Sequence, residues 1–278
     1  MTLLAPAKLN LCLYVGERRA DGLHEIRSLF CPLTLADRIT VTETERDEVA
    51  CPGVEGPNLA AAALDGLRSR GWAGPGLRVE IEKRIPVAAG LGGGSADAAA
   101  VLRLARGEVD GLGELAAELG ADVPSQLDPR FALVEGAGEV VDSLARPADF
   151  GVVLVPSGEG LSSADVYAEH DRLGIGRGSE ELAEIAGRLR DAASHGASPI
   201  EYADLLVNDL APAARSLRPE IDSALDALAE VGAAATLVTG SGPTAFGIFE
   251  DIVAADRAAA ELEPRYAGAI VAGPGAGR

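Results

Sequence analysis

From Lys8 to Val15 the chain alternates, with Leu9, Leu11, Leu13 and Val15 facing one way and Lys8, Asn10, Cys12 and Tyr14 the other. A period of two predicts a half-buried strand, and it puts Lys8 beside Asn10 on the face without aliphatic side chains. Further strands are expected at 39–44 and 77–83, the second stopped by Pro86. After a glycine-rich loop, the alanine-rich run 95–105 predicts a helix. A short helix follows at 114–119, closed by Gly120. Segments 131–134 and 139–141 are expected to pair as short strands.

At Phe150 the pattern restarts. Residues 151–155 read as a buried strand, followed by helices at 164–171, 179–193, 199–210 and 219–231. Ser198 is the expected N-cap of the third of these, with Pro199 in its first turn. Strands at 235–239 and 245–249, a helix at 252–262 and a strand at 268–272 complete the chain. With the inserted helices set aside, this half runs β-α-β-β-α-β, a ferredoxin-like order. The restart divides the chain into units 1–150 and 151–278.

Composition narrows the function. A chain of 278 residues, 47% hydrophobic and 24% charged, can bury a full core. No apolar run approaches the ~20 residues needed to span a bilayer. No basic residue precedes the first apolar stretch, which Lys8 interrupts, so a cytoplasmic location is expected rather than a membrane or secretory one. Cys12, Cys31 and Cys51 have no CxxC spacing and read as reduced packing residues. A net charge of −19 argues against nucleic-acid partners. A small polyanion is still a candidate ligand where cations and backbone amides cluster. Lys8 and Lys83 are the only lysines among 24 basic residues. Codon bias accounts for that, and so does a local need for a compact ammonium.

The stretch Pro86-Val-Ala-Ala-Gly-Leu-Gly-Gly-Gly-Ser-Ala-Asp97 carries the most chemistry. Its glycines remove side chains where a backbone must approach a ligand, and the helix that follows presents free N–H groups and a positive dipole end. A Walker loop would need Gly-Lys-Ser/Thr at the helix start, where Ser95-Ala-Asp97 stands. A dinucleotide fingerprint would need glycine at position 95 or 97. Neither fits.

The stretch resembles the Pro-x-x-x-Gly-Leu-Gly-(Gly/Ser)-(Gly/Ser)-Ser signature of the GHMP kinases. Ala5-Pro-Ala-Lys-Leu-Asn-Leu-Cys-Leu-Tyr14 followed by Arg19-Ala-Asp-Gly-Leu-His-Glu25 resembles the N-terminal signature of the branch acting on a cytidyl-methylerythritol. Val238-Thr-Gly-Ser-Gly-Pro-Thr-Ala245 resembles the family's third motif, and Gly120-Ala-Asp-Val-Pro124 the segment bearing its catalytic aspartate. The resemblance implies an α+β, two-domain GHMP kinase fold, with a ribosomal-S5-like N-terminal domain, a ferredoxin-like C-terminal domain and the active site between them. Periodicity independently supports only the second domain. The implied activity is ATP-dependent phosphorylation of the 2-hydroxyl of a cytidyl-methylerythritol in non-mevalonate isoprenoid biosynthesis. The alternatives are a GHMP kinase for a smaller alcohol, such as homoserine or mevalonate, or a nucleotide-binding relative without catalysis.

By the same resemblance, Asp122 is the catalytic base and Lys8 its charged partner. ATP lies along Pro86, Val87, Ala88, Ala89, Gly90, Leu91, Gly92, Gly93, Gly94, Ser95 and Ala96, with Asn58 and Lys83 at the adenine pocket. Mg2+ bridges the β- and γ-phosphates, with the Ser95 hydroxyl a candidate ligand. His24, Tyr167 and Asn10 meet the acceptor: His24 at the cytosine edge, Tyr167 stacked on the base, Asn10 near the methylerythritol hydroxyls. From the residues alone, Asp122 reads first as an N-cap before Val-Pro, and Asn58 and Lys83 as readily as surface polar residues, whereas the place of Lys8 beside Asn10 and the scarcity of lysine favour a functional role over a solvated strand position. Three positions depart from the family pattern: Leu23 where tyrosine is usual, Ala96 for a second serine, and Pro129-Arg130 for Gly-Gly.

Overall fold

A 21-residue strand, β3 (His24–Thr44), organises the first half of the computed structural model, which describes residues 1–158 and 160–275. β1 (Thr2–Asn10) pairs antiparallel with residues 30–40 of β3, and β2 (Tyr14–Arg18) with residues 24–27. β4 (Glu48–Ala50) runs parallel to β5 (Gly76–Glu82), which pairs with residues 38–44 of β3. β6 (Ala132–Gly136) pairs with residues 26–30 of β3, and β7 (Val140–Ser143) with β6. The sequence pattern predicts only the tail of β3. Pro32, which reads as a strand breaker, is accommodated because the β1 register shifts between Pro6 and Lys8, leaving Pro32 opposite Lys8 at a bulge.

The expected half-buried strand 8–15 is corrected in two respects. It begins at Thr2 and pauses after Asn10, and both of its faces are covered, with Lys8 through Val15 all buried. The pause has a long-range cause: the Leu13 N–H donates to the Val207 carbonyl at 2.7 Å.

Helices α1 (Leu59–Ser69), α2 (Gly93–Leu102), α3 (Leu112–Leu119) and α4 (Val123–Gln126) follow in the first half. α1 is not among the predicted elements, although Ala60, Ala63, Leu64 and Leu67 recur at helical spacing and form its buried face. These side chains pack with Ile39, Val79 and Ile81 of the sheet and with the alanines of α2.

The second sheet has the order β11–β8–β10–β9, formed by β8 (Gly151–Val155), β9 (Ala235–Val238), β10 (Ala245–Phe249) and β11 (Ile270–Ala272). Helices α5 (Ser163–Leu173), α6 (Ser179–Ala192), α7 (Ala211–Leu217) and α8 (Glu220–Glu230) lie between β8 and β9, and α9 (Ile252–Leu262) between β10 and β11. This is the 4-1-3-2 antiparallel order of a ferredoxin-like unit, as the restart predicts. Val153, Val155 and Phe249 pack on α8 and α9, while Val152, Leu154, Phe246 and Ile248 face Leu9, Leu11, Leu29 and Leu33 of the first half. The expected helix 199–210 is a 3-10 helix over Pro199–Leu205 only. Ser198 caps it as expected, with Glu201 completing a capping box, but the backbone at 207–209 bonds to Leu13 and cannot also turn into helix. Among the described residues, no helix is long and apolar enough to cross a membrane.

Candidate active site

Between the two sheets lies a cavity of about 530 Å³. Its walls include Lys8, Asn10, Asn58, Lys83, residues 86–95, Asp122, Tyr167, Gly240 and Ser241. Of the expected site residues, Ala96 and His24 are not on its walls.

At one end, Lys8 lies opposite Pro32 just after the bulge in β1, and its backbone N–H donates to the Leu91 carbonyl at 3.0 Å. The Lys8 ammonium donates to Asn10 Oδ1 at 2.6 Å, approaches Asp122 Oδ2 to 3.1 Å and lies 4.4 Å from the centre of the Phe30 ring. Asn10 Nδ2 in turn donates to Ser28 Oγ at 2.8 Å, which fixes the amide orientation and aims Oδ1 at Lys8. Asp122 occupies the N-cap position of α4 but makes no side-chain cap bond, and its carbonyl accepts from Ser125 Oγ at 2.8 Å. The carboxylate is therefore left to Lys8, so the capping alternative does not describe it.

The glycine loop is pressed between these residues and the turn at 239–242. A Cβ on Gly92, which adopts φ +67°, would come 2.7 Å from Lys8 Cγ, so the lysine stem passes only because that atom is missing. A Cβ on Gly90 would lie 2.7 Å from the Gly242 carbonyl oxygen and 2.8 Å from that of Thr239. α2 starts at Gly93, two residues earlier than expected, with no side-chain cap. Its first-turn N–H groups at Gly93, Gly94 and Ser95 have no intrahelical acceptor, the arrangement that suits an anion. Ala96 is corrected here: its N–H donates to the Gly92 carbonyl at 2.9 Å and its methyl is buried against α1 and the sheet. A serine hydroxyl at that position would have faced the core.

Lys83 is not a free adenine contact. Its ammonium bonds Asp37 and donates to Asp97 Oδ2 at 2.8 Å. Asp37 is wholly buried and also accepts from the N–H groups of Arg84 and Ile85, at 2.6 and 2.8 Å. Burial pushes the Asp97 carboxyl up to about 6, against the pull of Lys83. For Lys83, burial opposes the charge, but the two carboxylates outweigh it and raise its pKa. Asn58 caps α1, its Oδ1 accepting from the N–H groups of Ala60 and Ala61 at 2.8 and 3.4 Å, while still lining the cavity.

At the far wall Tyr167 is stacked on the His24 ring, centroids 4.9 Å apart and planes at 26°. His24 Nε2 meets Asp171 Oδ1 at 2.7 Å. His24 thus stacks on Tyr167, while Leu23 is 53% exposed. Cys12 and Cys31 are buried packing residues as expected, whereas Cys51 lines the cavity.

Sequence reasoning missed Ser28, Phe30, Asp37, Asp97 and Asn208. Asn208 Nδ2 donates to the carbonyls of Val238 and Gly240 at 2.6 and 2.8 Å, holding the third glycine motif. Asp97 closes the glycine stretch but has no role assigned there, and the other four lie in no recognisable spacing; each acts through a partner distant in sequence.

Comparison with known proteins agrees with this geometry. Residues 58–128 match the GHMP kinases N terminal domain and residues 177–268 the GHMP kinases C terminal region. A Kineococcus radiotolerans protein named 4-diphosphocytidyl-2-C-methyl-D-erythritol kinase is 37% identical, across 96% of this chain and 86% of that protein. A Streptomyces avermitilis protein of the same name is 38% identical, across 94% and 92%. A crystal structure of 4-(cytidine 5'-diphospho)-2C-methyl-D-erythritol kinase superposes with a TM-score of 0.80 at 35% identity, covering 100% of both chains.

Proposed function

This chain belongs to the GHMP kinases, and on that footing we propose that it transfers the γ-phosphoryl group of ATP to the 2-hydroxyl of 4-diphosphocytidyl-2-C-methyl-D-erythritol, a step of non-mevalonate isoprenoid biosynthesis. The observation that carries the chemistry is the Lys8–Asp122 pair at 3.1 Å, facing a cavity whose other wall is the glycine loop and the N-terminus of α2. Phosphoryl transfer needs alignment, charge neutralisation and a destination for the hydroxyl proton. The acceptor oxygen bonds to the γ-phosphorus, the bond to the β-phosphate oxygen breaks, and the hydroxyl proton passes to an Asp122 carboxylate oxygen. Lys8 holds that carboxylate in place and offsets charge on the transferring group. The N–H groups of Gly93, Gly94 and Ser95 receive the phosphates.

The charge balance of the cavity favours a divalent cation. Among its described lining residues the cations are Lys8 and Lys83, and both are already paired with carboxylates. A triphosphate thus meets little uncompensated positive charge from side chains. Mg2+ keeps several waters and binds through few protein ligands plus phosphate oxygens, which suits a site offering the Ser95 hydroxyl. When bound it neutralises phosphate charge.

On this reading Tyr167 receives the cytosine, His24 lies behind Tyr167, and Asn10 reaches the methylerythritol hydroxyls with its remaining N–H. Residues 1–150 and 151–278 form the two domains; the last three residues of the second lie outside the described part. The protein works in the cytoplasm on small molecules. The test is ATP-dependent phosphate transfer to the cytidyl substrate, with homoserine and mevalonate as controls. Turnover of either control above that of the cytidyl substrate overturns the assignment.

A further inference from the structure

Segment 207–209, far from every motif in the sequence, joins the parts of the site. It runs beside the pause between β1 and β2: Leu13 N–H donates to the Val207 carbonyl at 2.7 Å, and Asp209 N–H to the Leu13 carbonyl at 2.8 Å. The Asp209 carboxylate accepts from Val15 N–H at 3.0 Å and is gripped by Arg177 through Nε and Nη2, at 2.5 and 2.8 Å. The segment is therefore fixed relative to the strand that carries Lys8 and Asn10.

Asn208 projects from this anchored segment and has no polar atom to spare. Both amide hydrogens are donated, to the carbonyls of Val238 and Gly240, and Oδ1 accepts from Leu210 N–H at 2.9 Å. It is buried and is not on the cavity wall. The turn it holds touches the reacting end of the site directly. Thr239 Oγ1 accepts from Asn10 N–H at 3.1 Å. Gly240 adopts φ +57°, and a Cβ there would lie 3.2 Å from Asn10 Oδ1, 3.3 Å from the Gly90 carbonyl oxygen and 3.9 Å from Lys8 Nζ. Ser241 and Gly240 both line the cavity.

We propose that Asn208 is a positioning residue for phosphoryl transfer: its carboxamide fixes the 238–242 turn against Asn10, Lys8 and the glycine loop, setting the distance between the Lys8–Asp122 pair and the phosphate cradle. The proposal rests on the kinase reading above and adds a residue that touches neither substrate. Replacing Asn208 by alanine leaves two buried carbonyls without donors and frees the turn to move. A misplacement of about 1 Å at a reacting centre costs on the order of 10²-fold in rate.

The experiment compares Asn208→Ala with wild type and with Leu262→Ala, a buried α9 truncation remote from the cavity that controls for lost stability. Steady-state kinetics with ATP and the cytidyl substrate are measured well below each variant's Tm, together with hydrogen exchange of the amides at 239–242 and 244. For Asn208→Ala, kcat falls between roughly 10- and 100-fold. KM for ATP stays within about 3-fold, and the turn amides exchange at least about 10-fold faster. Leu262→Ala keeps wild-type kcat. Exchange at the turn no faster than in wild type overturns the proposal whatever the acceptor. So does a kcat for Asn208→Ala no lower than that of Leu262→Ala. Inactivity of the wild type on the cytidyl substrate overturns the substrate reading instead, and the exchange measurement then decides Asn208 by itself.

Discussion

Lys8 is buried among hydrocarbon and an aromatic face, yet it is balanced: Asn10 Oδ1, Asp122 Oδ2 and the Phe30 ring surround its ammonium. Because Asp122 spends no side-chain bond on its helix, replacing it by asparagine removes the proposed proton acceptor without uncapping α4. Asp122→Asn is expected to lower kcat at least ~10²-fold with little change in Tm or ATP affinity. Lys8→Ala should cost a similar factor, and the double variant little more than either single one, because the two act as a unit. Rate losses that multiply in the double variant would show that they act separately. Asp97 supports a second expectation, this one in pH. Its carboxyl titrates near about 6 in the folded protein, raised by burial, against about 3.9 in an unfolded chain. Between those values the folded state holds a proton that the unfolded state has lost, so stability falls as pH rises through that window and then levels off. A carboxamide in its place does not titrate. In the nucleotide-free protein, the Tm advantage of Asp97→Asn over wild type should therefore grow from about pH 4 to about pH 6.5 and stay constant above. A pH-independent difference would mean that Lys83 fully compensates the buried carboxylate.

At the scale of elements, the proposed anion site is the loop before α2 and the first turn of that helix, whose glycines are not equivalent. Gly90 and Gly92 make room for backbone and for Lys8, and a Cβ on Gly93 would crowd Ile85 and Lys83 at 3.1 Å. Gly94 is different: a Cβ there meets only Leu59 Cδ1, at 3.7 Å, and the residue is exposed on the cavity wall. A size series at this position separates folding from binding. Gly94→Ala should be neutral or stabilising by roughly 0.5–1 kcal/mol, as for glycine in a helix. Gly94→Leu should keep the fold and weaken ATP binding at least ~10-fold in calorimetry. Equal ATP affinity in the two variants would remove the phosphates from this turn. This helix is legible in the sequence because its signal is local: glycines, then alanines. The same holds for β8, β10, α9 and the Ser198 N-cap. What is not legible depends on distant partners. The 3-10 helix at Pro199–Leu205 ends where Leu13 claims the backbone beyond it, and β3 passes through Pro32 because β1 bulges opposite. α1 is legible in its spacing. Its cap, Asn58, reads as a ligand contact in the sequence, whereas its first task is to satisfy the helix N-terminus.

Across the whole molecule, each topological half has a core cluster of its own, and two further clusters are shared between the halves. Leu9, Leu11, Leu29 and Leu33 pack in one cluster with Phe150, Val152, Leu154, Leu182 and Phe246. Leu13 and Val15 likewise pack with Val166, Leu210, Ile221 and Val238 in another. The cavity takes walls from both halves, so the geometry of Lys8 and Asp122 relative to the 239–242 turn depends on this packing. Chains longer than about 150 residues commonly unfold domain by domain. Here separation at residue 150 would expose the inner face of the second sheet, where Val152, Leu154, Phe246 and Ile248 are all wholly buried. Fully burying a side chain of this kind contributes roughly 1.5–3 kcal/mol, so four such residues contribute about 6–12 kcal/mol, comparable to the whole stability of a typical domain. Unfolding should therefore be a single cooperative transition despite the two-sheet architecture. The single tryptophan, Trp72, reports only on the first half, where it packs with α1 and β5 and donates to Glu108 at 2.9 Å. Far-UV circular dichroism reports on the helices of both halves. In urea, with the nucleotide-free protein, the Trp72 fluorescence midpoint and the circular dichroism midpoint should coincide. Two separated midpoints would show that the halves are independent folding units, and that the site between them is assembled from parts that move apart.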